Sequence, residues 1–334
     1  MKILIVRVSS LGDVVHNMPM VADIHRFYPD ATIDWVVEEG YTELVGLNGA
    51  VRRVIPFALR RWRRGLLLRS TRAEIRAFYR QLQEEAYDFV FDTQGLLKTA
   101  VVMRLARLNV GGRRVGLGNA TEGSGYEPIS RVFHDLSVPV GLRLHAVERA
   151  RTVAAKAMGY AIDHKAPEFN LAPPSKRATS SAWLPETPYA VFFHGTARAA
   201  KQWPAANWVD LGRHLQARNL PVLLPWGSEE ERKAAQAMQA QIPNAHVLPR
   251  LPLMEAILLA QRAALVVGVD TGLTHVAAAY CRPTVEIYGD SPRWKTEGTW
   301  SPNIVNLGDE GTPPDVASVI AAVNGMLSAQ ERAG

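Results

Sequence analysis

Short, continuous apolar runs alternate with longer stretches of helical periodicity in the first half of the chain. The runs are rich in Val, Ile and Phe and lack the polar alternation of a half-exposed strand, which is typical of parallel strands buried on both faces. They predict strands at 3–8, 33–37 and 89–91 and, as RRVGLG, at 113–118. Helical stretches lie between and after them, for example at 96–108 and 145–158.

The second half restarts this alternation with its own strands and helices. The predicted strands are YAVFFHG at 189–195, PVLLPWG at 221–227, HVLP at 246–249, ALVVGVD at 264–270 and TVEIYG at 284–289. The helices predicted between them lie at 207–218, 229–241, 253–262 and 273–281. A last amphipathic helix carries Val316, Val319, Ile320 and Val323 on one face.

A proline-rich stretch separates the two halves. Residues 163–188 contain five prolines and no clear period, which indicates an interdomain linker. We therefore expect an N-terminal domain at 1–162, a C-terminal domain at 189–312 and, at 313–334, a C-terminal helix that packs back toward the N-terminal domain. Strand–helix alternation with right-handed crossovers predicts an α/β fold with two tandem, doubly wound, Rossmann-like domains. Such sheets bind ligands at the carboxyl ends of their strands, here around an interdomain cleft.

Composition narrows the class of partner. The 334 residues carry a net charge of +6, which favours a nucleic acid, an anionic membrane or a phosphorylated substrate. Cys281 is the single cysteine, so no internal disulfide can form and a reducing compartment is expected. The N-terminal apolar run is too short for a signal sequence, and no run approaches the roughly 18 residues of a membrane span. We expect a cytoplasmic protein that lies at most on a membrane surface.

The strongest local signal is GVDTGLTHVAAA at 268–279. A Val-rich strand ends at Asp270, Thr271 and Gly272 form a tight turn, and a helix follows. The free N–H groups and positive dipole of such a helix end bind anions, and Gly272 lets a ligand approach the backbone. Thr274 and His275 can add hydrogen bonds. The alternative is that Asp270 and Thr271 simply cap the helix.

Two further strand ends of the second half carry polar side chains. In FFHGTARAAKQWP, Thr196 and Lys201 could reach a phosphate, and the lysine would counter the charge that builds on a departing diphosphate. In PWGSEEE, Glu229 could accept hydrogen bonds from ribose hydroxyls. Lys201 could equally be a solvated loop lysine, and the glutamates could simply complement the helix dipole.

The first half places a carboxylate and many cations near its strand ends. Asp13, in VRVSSLGDVVHNMP, is either a helix cap or a catalytic base. The arginine cluster, which surrounds Trp62, consists of Arg60, Arg61, Arg63 and Arg64. Arginine forks suit phosphates and carboxylates, although a solvated helical face is the alternative. Lys98, in DTQGLLKTA, stands at another strand end.

Several common motifs are absent. No Asp-x-Asp pair occurs for a metal-bound sugar nucleotide, and neither a Walker A nor a G-x-G-x-x-G fingerprint is present. One cysteine and scattered histidines provide no zinc spacing. The sequence therefore predicts no metal and no other cofactor.

Together these stretches resemble the heptosyltransferases of glycosyltransferase family 9, which have the GT-B fold. The similarity runs over nearly the whole chain and is densest in SSLGDVVHNMP, DWVVEEG, RRWRR, DTQGLLKT, HAVER, KQWP, LPWG and VDTGLTH. RRWRR and DWVVEEG are more similar to the branch of the family whose acceptor is Kdo2-lipid A than to its sister branch. The combination is far more specific than any single stretch.

The resemblance implies inverting, metal-independent transfer of heptose from ADP-L-glycero-β-D-manno-heptose to the inner Kdo of Kdo2-lipid A, in lipopolysaccharide inner-core biosynthesis. The C-terminal domain would bind the donor and the N-terminal domain the acceptor, at the anionic cytoplasmic face of the inner membrane and without nucleic acid. Asp13 would be the catalytic base, assisted by Lys201 at the diphosphate. The implied donor-binding residues are Thr196, Lys201, Glu229, Leu251, Asp270, Thr271, Gly272 and His275. The implied acceptor-binding residues are Arg60, Arg61, Arg63, Arg64 and Lys98.

Two positions depart from the family pattern. Ala197 stands where the family often has a second hydroxyl beside Thr196. The turn after PWG is shorter than in relatives, so Glu230 or Glu231 could take the role given to Glu229.

Three other functions fit part of the pattern. Another family 9 enzyme would share Asp13 and the 270–275 turn and differ around 60–64. A nucleotide-sugar epimerase of similar architecture would need no acidic acceptor, which leaves the arginine cluster unexplained. A nucleic-acid-binding protein would use the net charge and the arginine–aromatic mix at 59–80, but would leave the Asp and His residues at the strand ends without a role.

Overall fold

The chain forms two compact units, Met1–Ala172 and Pro173–Gly334. The computed structural model describes residues 1–162, 165–175, 183–196 and 198–333. The division between the units falls within the stretch predicted as a linker, part of which lies outside the described residues. Ala197, the first of the two departures from the family pattern, also lies outside them.

The first unit is built on a six-stranded sheet in which each neighbouring pair of strands is parallel. Its strands are β1 (Lys2–Val6), β2 (Thr32–Glu38), β3 (Val51–Phe57), β4 (Ala86–Asp92), β5 (Arg107–Leu117) and β6 (Leu136–Val138). Its helices are α1 (Leu11–His16), α2 (Met18–Phe27), α3 (Thr42–Gly46), α4 (Leu59–Trp62), α5 (Arg69–Gln83), α6 (Leu97–Leu105) and α7 (Ala146–Met158). The strand order is β3-β2-β1-β4-β5-β6.

The second unit repeats this plan. Its strands are β7 (Ala190–Phe193), β8 (Val222–Leu224), β9 (Ala245–Val247), β10 (Leu265–Val269), β11 (Thr284–Ile287) and β12 (Ile304–Leu307). Its helices are α8 (Ala205–Gln216), α9 (Glu229–Gln239), α10 (Leu253–Arg262), α11 (Gly272–Ala279) and α12 (Val316–Ala333). The order β9-β8-β7-β10-β11-β12 is that of the first sheet, read from the equivalent edge.

Each sheet has one point where the order of the strands reverses. It lies between β1 and β4 in the first unit and between β7 and β10 in the second. Helices that follow the strands on the two sides pack on opposite faces, so a crevice opens at the carboxyl ends of these two strands. The central strands are fully buried, as their uninterrupted Val, Ile and Leu runs predicted. The residues that follow β1, β4, β7 and β10 are therefore the first candidates for ligand binding.

The structure differs from the sequence prediction mainly at the sheet edges. The strands β3, β6 and β12 were not predicted; β3 contains two arginines and a proline, which an edge strand tolerates. The helix predicted at 96–108 ends at Leu105, because β5 begins at Arg107 and is longer than the run at 113–118. Arg7 and His194 lie near the ends of predicted strands. In the structure they instead begin the loops that carry the polar side chains.

The C-terminal helix α12 packs on the sheet of its own unit. Val319, Val323 and Met326 belong to the same buried core as Leu265 and Val285. This buried face packs against β11, β12 and α8. The expectation that the helix packs back toward the N-terminal domain stays a prediction. Among the described residues, no helix has the length and hydropathy needed to cross a membrane.

Candidate active site

The N-terminus of α11 directly follows the end of β10. Thr271 occupies the N-cap position in an extended conformation, and its side chain makes no capping hydrogen bond, so the interpretation of Thr271 as a plain cap is wrong. The Thr274 hydroxyl instead donates to the carbonyl of Val269 at 2.9 Å and is fully buried, which removes it from the candidate ligand contacts. Gly272 places no side chain over the first N–H groups, which have no partner within the helix. This turn can bind an anion.

Four charged side chains form a buried chain beside this turn, which we call the α11 cluster: Lys201, Asp270, His275 and Glu286. The Lys201 ammonium contacts Asp270 Oδ2. His275 donates from Nε2 to Asp270 Oδ1 at 2.9 Å and from Nδ1 to Glu286 Oε1 at 3.2 Å. Charges alternate along the cluster, so each buried ion has an opposite neighbour. Lys201, Asp270 and His275 therefore lie together in the fold. Their roles in donor binding stay predictions.

The α11 cluster shifts the pKa of its members strongly. Burial alone would lower the pKa of His275, but its hydrogen bonds to Asp270 and Glu286 outweigh burial and raise it to about 10. Burial alone would raise the pKa of Asp270, but His275 and Lys201 hold it far below its usual range. At neutral pH His275 is therefore an imidazolium and Asp270 an ionised carboxylate.

Two further groups complete the surroundings of Asp270. The Ser291 hydroxyl donates to Oδ2 at 2.5 Å, and Thr296 Oγ1 lies 3.4 Å from Oδ1. Sequence reasoning missed Ser291 and Glu286. For Glu286 there was a signal, because a single carboxylate interrupts the apolar strand TVEIYG and is fully buried. Ser291, in an ordinary loop, offered none.

The remaining donor-binding candidates lie after neighbouring strands of the same sheet. Thr196 follows β7, and a pocket of about 400 Å³ opens beside it, lined also by Trp203, Glu230 and Glu231. Leu251 is half-buried in the segment between β9 and α10. Because the strands are parallel, these positions share the carboxyl edge of the sheet with the α11 cluster.

The three glutamates that begin α9 have different roles in the structure. Glu231 forms a capping box: its carboxylate accepts from the Gly227 N–H at 2.6 Å, and its own backbone N–H donates to Ser228 Oγ at 3.2 Å. A side chain at Gly195 would displace the Glu231 carboxylate from its present position. Glu229 is exposed, with only Arg232 at 3.4 Å. Of these two carboxylates, Glu229 is the one not engaged by the backbone.

In the first unit, Asp13 lies between a buried arginine and the loop that follows β1. Arg7 Nη2 contacts Asp13 Oδ1 at 2.5 Å, and the Ser10 N–H and hydroxyl donate to Oδ2 at 3.0 and 2.8 Å. Asp13 thus caps the start of α1, as the alternative interpretation expected. Its side chain nevertheless remains 37% exposed, so the carboxylate is accessible to a ligand.

Arg149 completes a second group, the β1 cluster, which consists of Arg7, Asp13 and Arg149. Burial would raise the pKa of Asp13, but Arg7, the two Ser10 hydrogen bonds and Arg149 hold it well below its usual range. Burial and the nearby Arg7 lower the pKa of Arg149 to about 10, and its guanidinium donates to Thr121 Oγ1 at 3.0 Å. The β1 cluster therefore carries two cations for one carboxylate. The sequence had signals for both arginines, one within an apolar run and one in HAVER, but no role was assigned to them.

Lys98 is half-buried next to the β1 cluster. Its ammonium donates to Ser9 Oγ at 3.3 Å. Burial, and then the nearby Arg60, Arg63 and Arg7, lower its pKa, while the buried Glu38 opposes the shift. The structure therefore brings Lys98 into the electrostatic neighbourhood of the arginine cluster, while its role in acceptor binding stays a prediction.

The arginine cluster divides into two parts. Arg61 pairs with Glu39 at 2.9 Å and with Glu74 at 2.6 Å, so its guanidinium holds α4 and α5 together. Trp62, which the arginine cluster surrounds in the sequence, is buried between Phe57 and Phe78 and belongs to the core. The other members, Arg60, Arg63 and Arg64, are exposed and form no ion pair with any described residue. Arg60 lies within α4, and Arg63 and Arg64 follow its last residue.

Comparison with known proteins identifies the family of this chain. The model of "Glycosyltransferase family 9 (heptosyltransferase)" matches residues 75–319. "Lipopolysaccharide heptosyltransferase 1" of Pseudomonas aeruginosa is 40% identical over 312 residues, which cover 93% of this chain and 84% of that protein. The chain belongs to glycosyltransferase family 9.

Solved structures of family 9 glycosyltransferases match over the full length. "E. coli heptosyltransferase WaaC with ADP" gives a TM-score of 0.82 at 32% identity, covering 98% of this chain and 99% of that one. "E. coli heptosyltransferase WaaC with ADP-2-deoxy-2-fluoro heptose" gives 0.78 at 32% identity, covering 99% and 100%. The predicted fold class, α/β with two tandem Rossmann-like GT-B domains, is confirmed, and so is the prediction of a glycosyltransferase.

Proposed function

We propose that this family 9 glycosyltransferase is a heptosyltransferase I that transfers L-glycero-D-manno-heptose from ADP-heptose to the inner Kdo of Kdo2-lipid A. The relative at 40% identity bears that enzyme's name, and the WaaC structures contain ADP and an ADP-heptose analogue. The observation in this chain that carries the proposal is the α11 cluster. It holds a lysine ammonium beside a helix N-terminus suited to a diphosphate.

On the donor side, the diphosphate binds the N–H groups at Gly272 and the side chain of Thr271. The Lys201 ammonium is neutralised by Asp270 in the absence of donor. When phosphate oxygens arrive, the ammonium is shared with them and offsets the charge that develops as ADP departs. Asp270 then turns its oxygens to the heptose hydroxyls, while His275 keeps it ionised. Thr196 and Glu229 contact the nucleoside, and Leu251 packs against it.

On the acceptor side, Asp13 is the general base. Inversion requires the acceptor hydroxyl to attack opposite the leaving ADP, with a base beside that hydroxyl. Arg7 and Arg149 keep Asp13 ionised at neutral pH, which also makes it a weak base. The rate enhancement therefore rests on positioning of the hydroxyl and on stabilisation of the leaving group, more than on basicity.

The acidic acceptor is recognised by cations of the first unit. Arg60, Arg63, Arg64 and Lys98 bind phosphate or Kdo carboxylate groups, and those that do not contact the acceptor face anionic lipid at the inner membrane. Arg61 adds positive potential while it remains paired with Glu39 and Glu74. The excess cation of the β1 cluster is available to a Kdo carboxylate.

Transfer proceeds without a metal in this proposal. Among the described residues, no group of three or more His, Cys, Asp or Glu side chains is placed to hold an ion. The charge of the diphosphate is instead met by Lys201 and the α11 N-terminus, which supply fixed positive potential.

A transfer assay tests the proposal. The protein is incubated with ADP-heptose and a delipidated Kdo2 acceptor, with UDP- and GDP-sugars as controls. Heptosylated product is expected from ADP-heptose alone, with the opposite anomeric configuration from the donor by NMR, and at an undiminished rate in EDTA. A product of retained configuration, or activity lost in EDTA and restored by Mg²⁺ or Mn²⁺, contradicts the mechanism. Absence of transfer to this acceptor contradicts the function.

A further inference from the structure

A turn of three exposed leucines stands beside the arginine cluster, and we call it the leucine turn: Leu66, Leu67 and Leu68. The three side chains are 54%, 83% and 59% exposed. Three consecutive exposed apolar residues are a liability in a soluble protein unless they serve a contact. None of them belongs to the buried core of the described part of the first unit, and neither candidate site contains them.

The leucine turn is held in place by the fold. The Leu68 N–H donates to the Gly65 carbonyl at 3.0 Å, and the Gly65 N–H donates to the Trp62 carbonyl at 3.0 Å. Trp62 is buried, and its indole N–H donates to Glu74 at 2.9 Å, which ties this segment to α5. The leucines are therefore presented to solvent by an anchored turn that precedes α5.

Cations surround the leucine turn in the sequence. Arg60, Arg63 and Arg64 precede it, and Arg69 and Arg72 follow it. All five are exposed, and within the part of the chain that the structure describes none of their guanidinium groups forms an ion pair, although Arg60 lies near the buried Glu38. An apolar tip flanked by exposed arginines matches a bilayer, whose apolar interior lies beneath anionic headgroups.

We propose that the leucine turn inserts into an anionic lipid surface while the flanking arginines bind lipid phosphates. This deepens the proposed function, since it specifies how the enzyme reaches an acceptor embedded in a membrane. A second copy of the chain is disfavoured as the partner, because a two-fold contact through this turn would bring the two sets of arginines together.

Vesicle binding tests the insertion without using catalysis. The full chain is mixed with vesicles of phosphatidylcholine containing about a quarter phosphatidylglycerol and no lipid A. The variant L66S/L67S/L68S is expected to bind about a hundredfold more weakly than wild type, and Leu67→Ser alone about three- to tenfold. Val110→Ser is the matched control, because Val110 is fully exposed in β5, which three strands separate from β3, the strand before the leucine turn. Its vesicle binding should equal that of wild type.

The lipid composition and the acceptor separate the possible outcomes. Vesicles of phosphatidylcholine alone should bind wild type at least about tenfold more weakly, because the arginines then have no anionic lipid. The triple variant should keep wild-type transfer to the delipidated acceptor and lose transfer to the same acceptor presented in vesicles. Equal vesicle binding by wild type and the triple variant overturns the insertion. So does a wild-type dimer in sedimentation that the triple variant abolishes while vesicle binding persists. If wild type binds vesicles but transfers nothing to the delipidated acceptor, the proposed function fails and the insertion stands.

Discussion

The two sheets share one strand order, yet equivalent aspartates in them have opposite properties. Asp92 ends β4 and Asp270 directly follows β10, the fourth strand of each unit. Asp92 is fully buried, and burial raises its pKa to about 6 although it accepts the N–H groups of Gln94 and Gly95 at 2.9 and 3.0 Å. Asp270 is also buried, but His275 and Lys201 lower its pKa far below the usual range.

This difference shows that strand order and neighbouring side chains determine separate properties of a site. The reversal of strand order places a crevice at the same point of each sheet. In the first unit the partly exposed carboxylate, Asp13, follows β1, whereas the buried Asp92 accepts N–H groups of the turn before α6. In the second unit the carboxylate after β10 stands at the centre of the α11 cluster. The order of the strands determines where each site lies. The charge state of its carboxylate depends on which side chains of the neighbouring loops contact it.

The largest expected effect comes from removing the charge of Asp13. Asp13→Asn should reduce kcat by about 10²–10⁴-fold, the usual contribution of a general base, because the amide cannot accept the proton. ADP affinity, measured by calorimetry, should change little, whereas the thermal stability should fall because the buried Arg7 loses its carboxylate partner. The matched control Asp30→Asn, in an exposed turn of the same unit, should retain full activity. A near wild-type rate in Asp13→Asn would show that Asp13 is a cap and no more.

The corresponding change in the second unit should act on stability as well. Asp270→Asn leaves the Lys201 ammonium and the His275 imidazolium without their shared carboxylate. Breaking a buried ion pair in this way costs about 3–5 kcal/mol in the free energy of unfolding, measured by urea denaturation. Asp210→Asn, on the exposed side of α8, should stay within about 0.5 kcal/mol of wild type. A loss as small as that of the control would mean that the α11 cluster contributes no net stability.

The raised pKa of Asp92 should make the free energy of unfolding depend on pH. The pKa of Asp92 is higher in the folded state than its ordinary value of 3.8, so its contribution to stability is greatest at low pH and falls as the pH rises toward about 6. Relative to wild type, Asp92→Asn should therefore gain about 3 kcal/mol between pH about 3.5 and 7, in unfolding experiments at several pH values.

His275 provides a second, more alkaline pH window as an internal control. Its pKa is raised from 6.5 to about 10, so its contribution is complete below pH 6.5 and is lost as the pH rises through about 10. The destabilisation of His275→Gln should shrink over that alkaline range and stay constant between pH 4 and 6. Two variants with the same pH profile would contradict the contrast drawn between the units.

Acceptor recognition should be confined to the first unit. Alanine at a contacting member of Arg60, Arg63 and Arg64 should raise the acceptor KM about tenfold to a hundredfold, as for a charge-assisted hydrogen bond. ADP-heptose affinity should stay unchanged, and added salt should weaken acceptor binding. Arg80→Ala, at the far end of α5, is the matched control. If the whole arginine cluster tolerates alanine, Lys98 is the next residue to test.

The smallest effects distinguish the glutamates of α9. Glu229→Gln should raise the KM for ADP-heptose a few-fold without changing stability, because its exposed carboxylate is free to accept ribose hydroxyls. Glu231→Gln should lower the free energy of unfolding by about 1 kcal/mol through the capping box. Kinetic effects found at Glu230→Gln instead would move the ribose contact to Glu230, which lines the pocket beside Thr196.

Local sequence was sufficient for the features that depend on neighbouring residues. The Val-rich runs of β1 and β10 predicted buried parallel strands, and VDTGLTH predicted a helix N-terminus open to anions. The edge strands β3, β6 and β12 were missed because strands exposed at a sheet margin need no continuous apolar run. Helix ends were less well predicted where a new strand followed at once, as at Leu105.

The charge states of the two sites were decided by the tertiary structure. Lys201 and Asp270 are 69 residues apart in sequence, and only the parallel pairing of β7 with β10 brings their loops together. Arg149 reaches the β1 cluster from α7, and Arg61 is drawn to Glu39 and Glu74 when α4 packs beside α5. Periodicity reports how a residue relates to neighbours a few positions away. A pKa or an ion pair depends on burial and on distances of a few ångströms between side chains from distant segments, and those exist only once the sheets have formed.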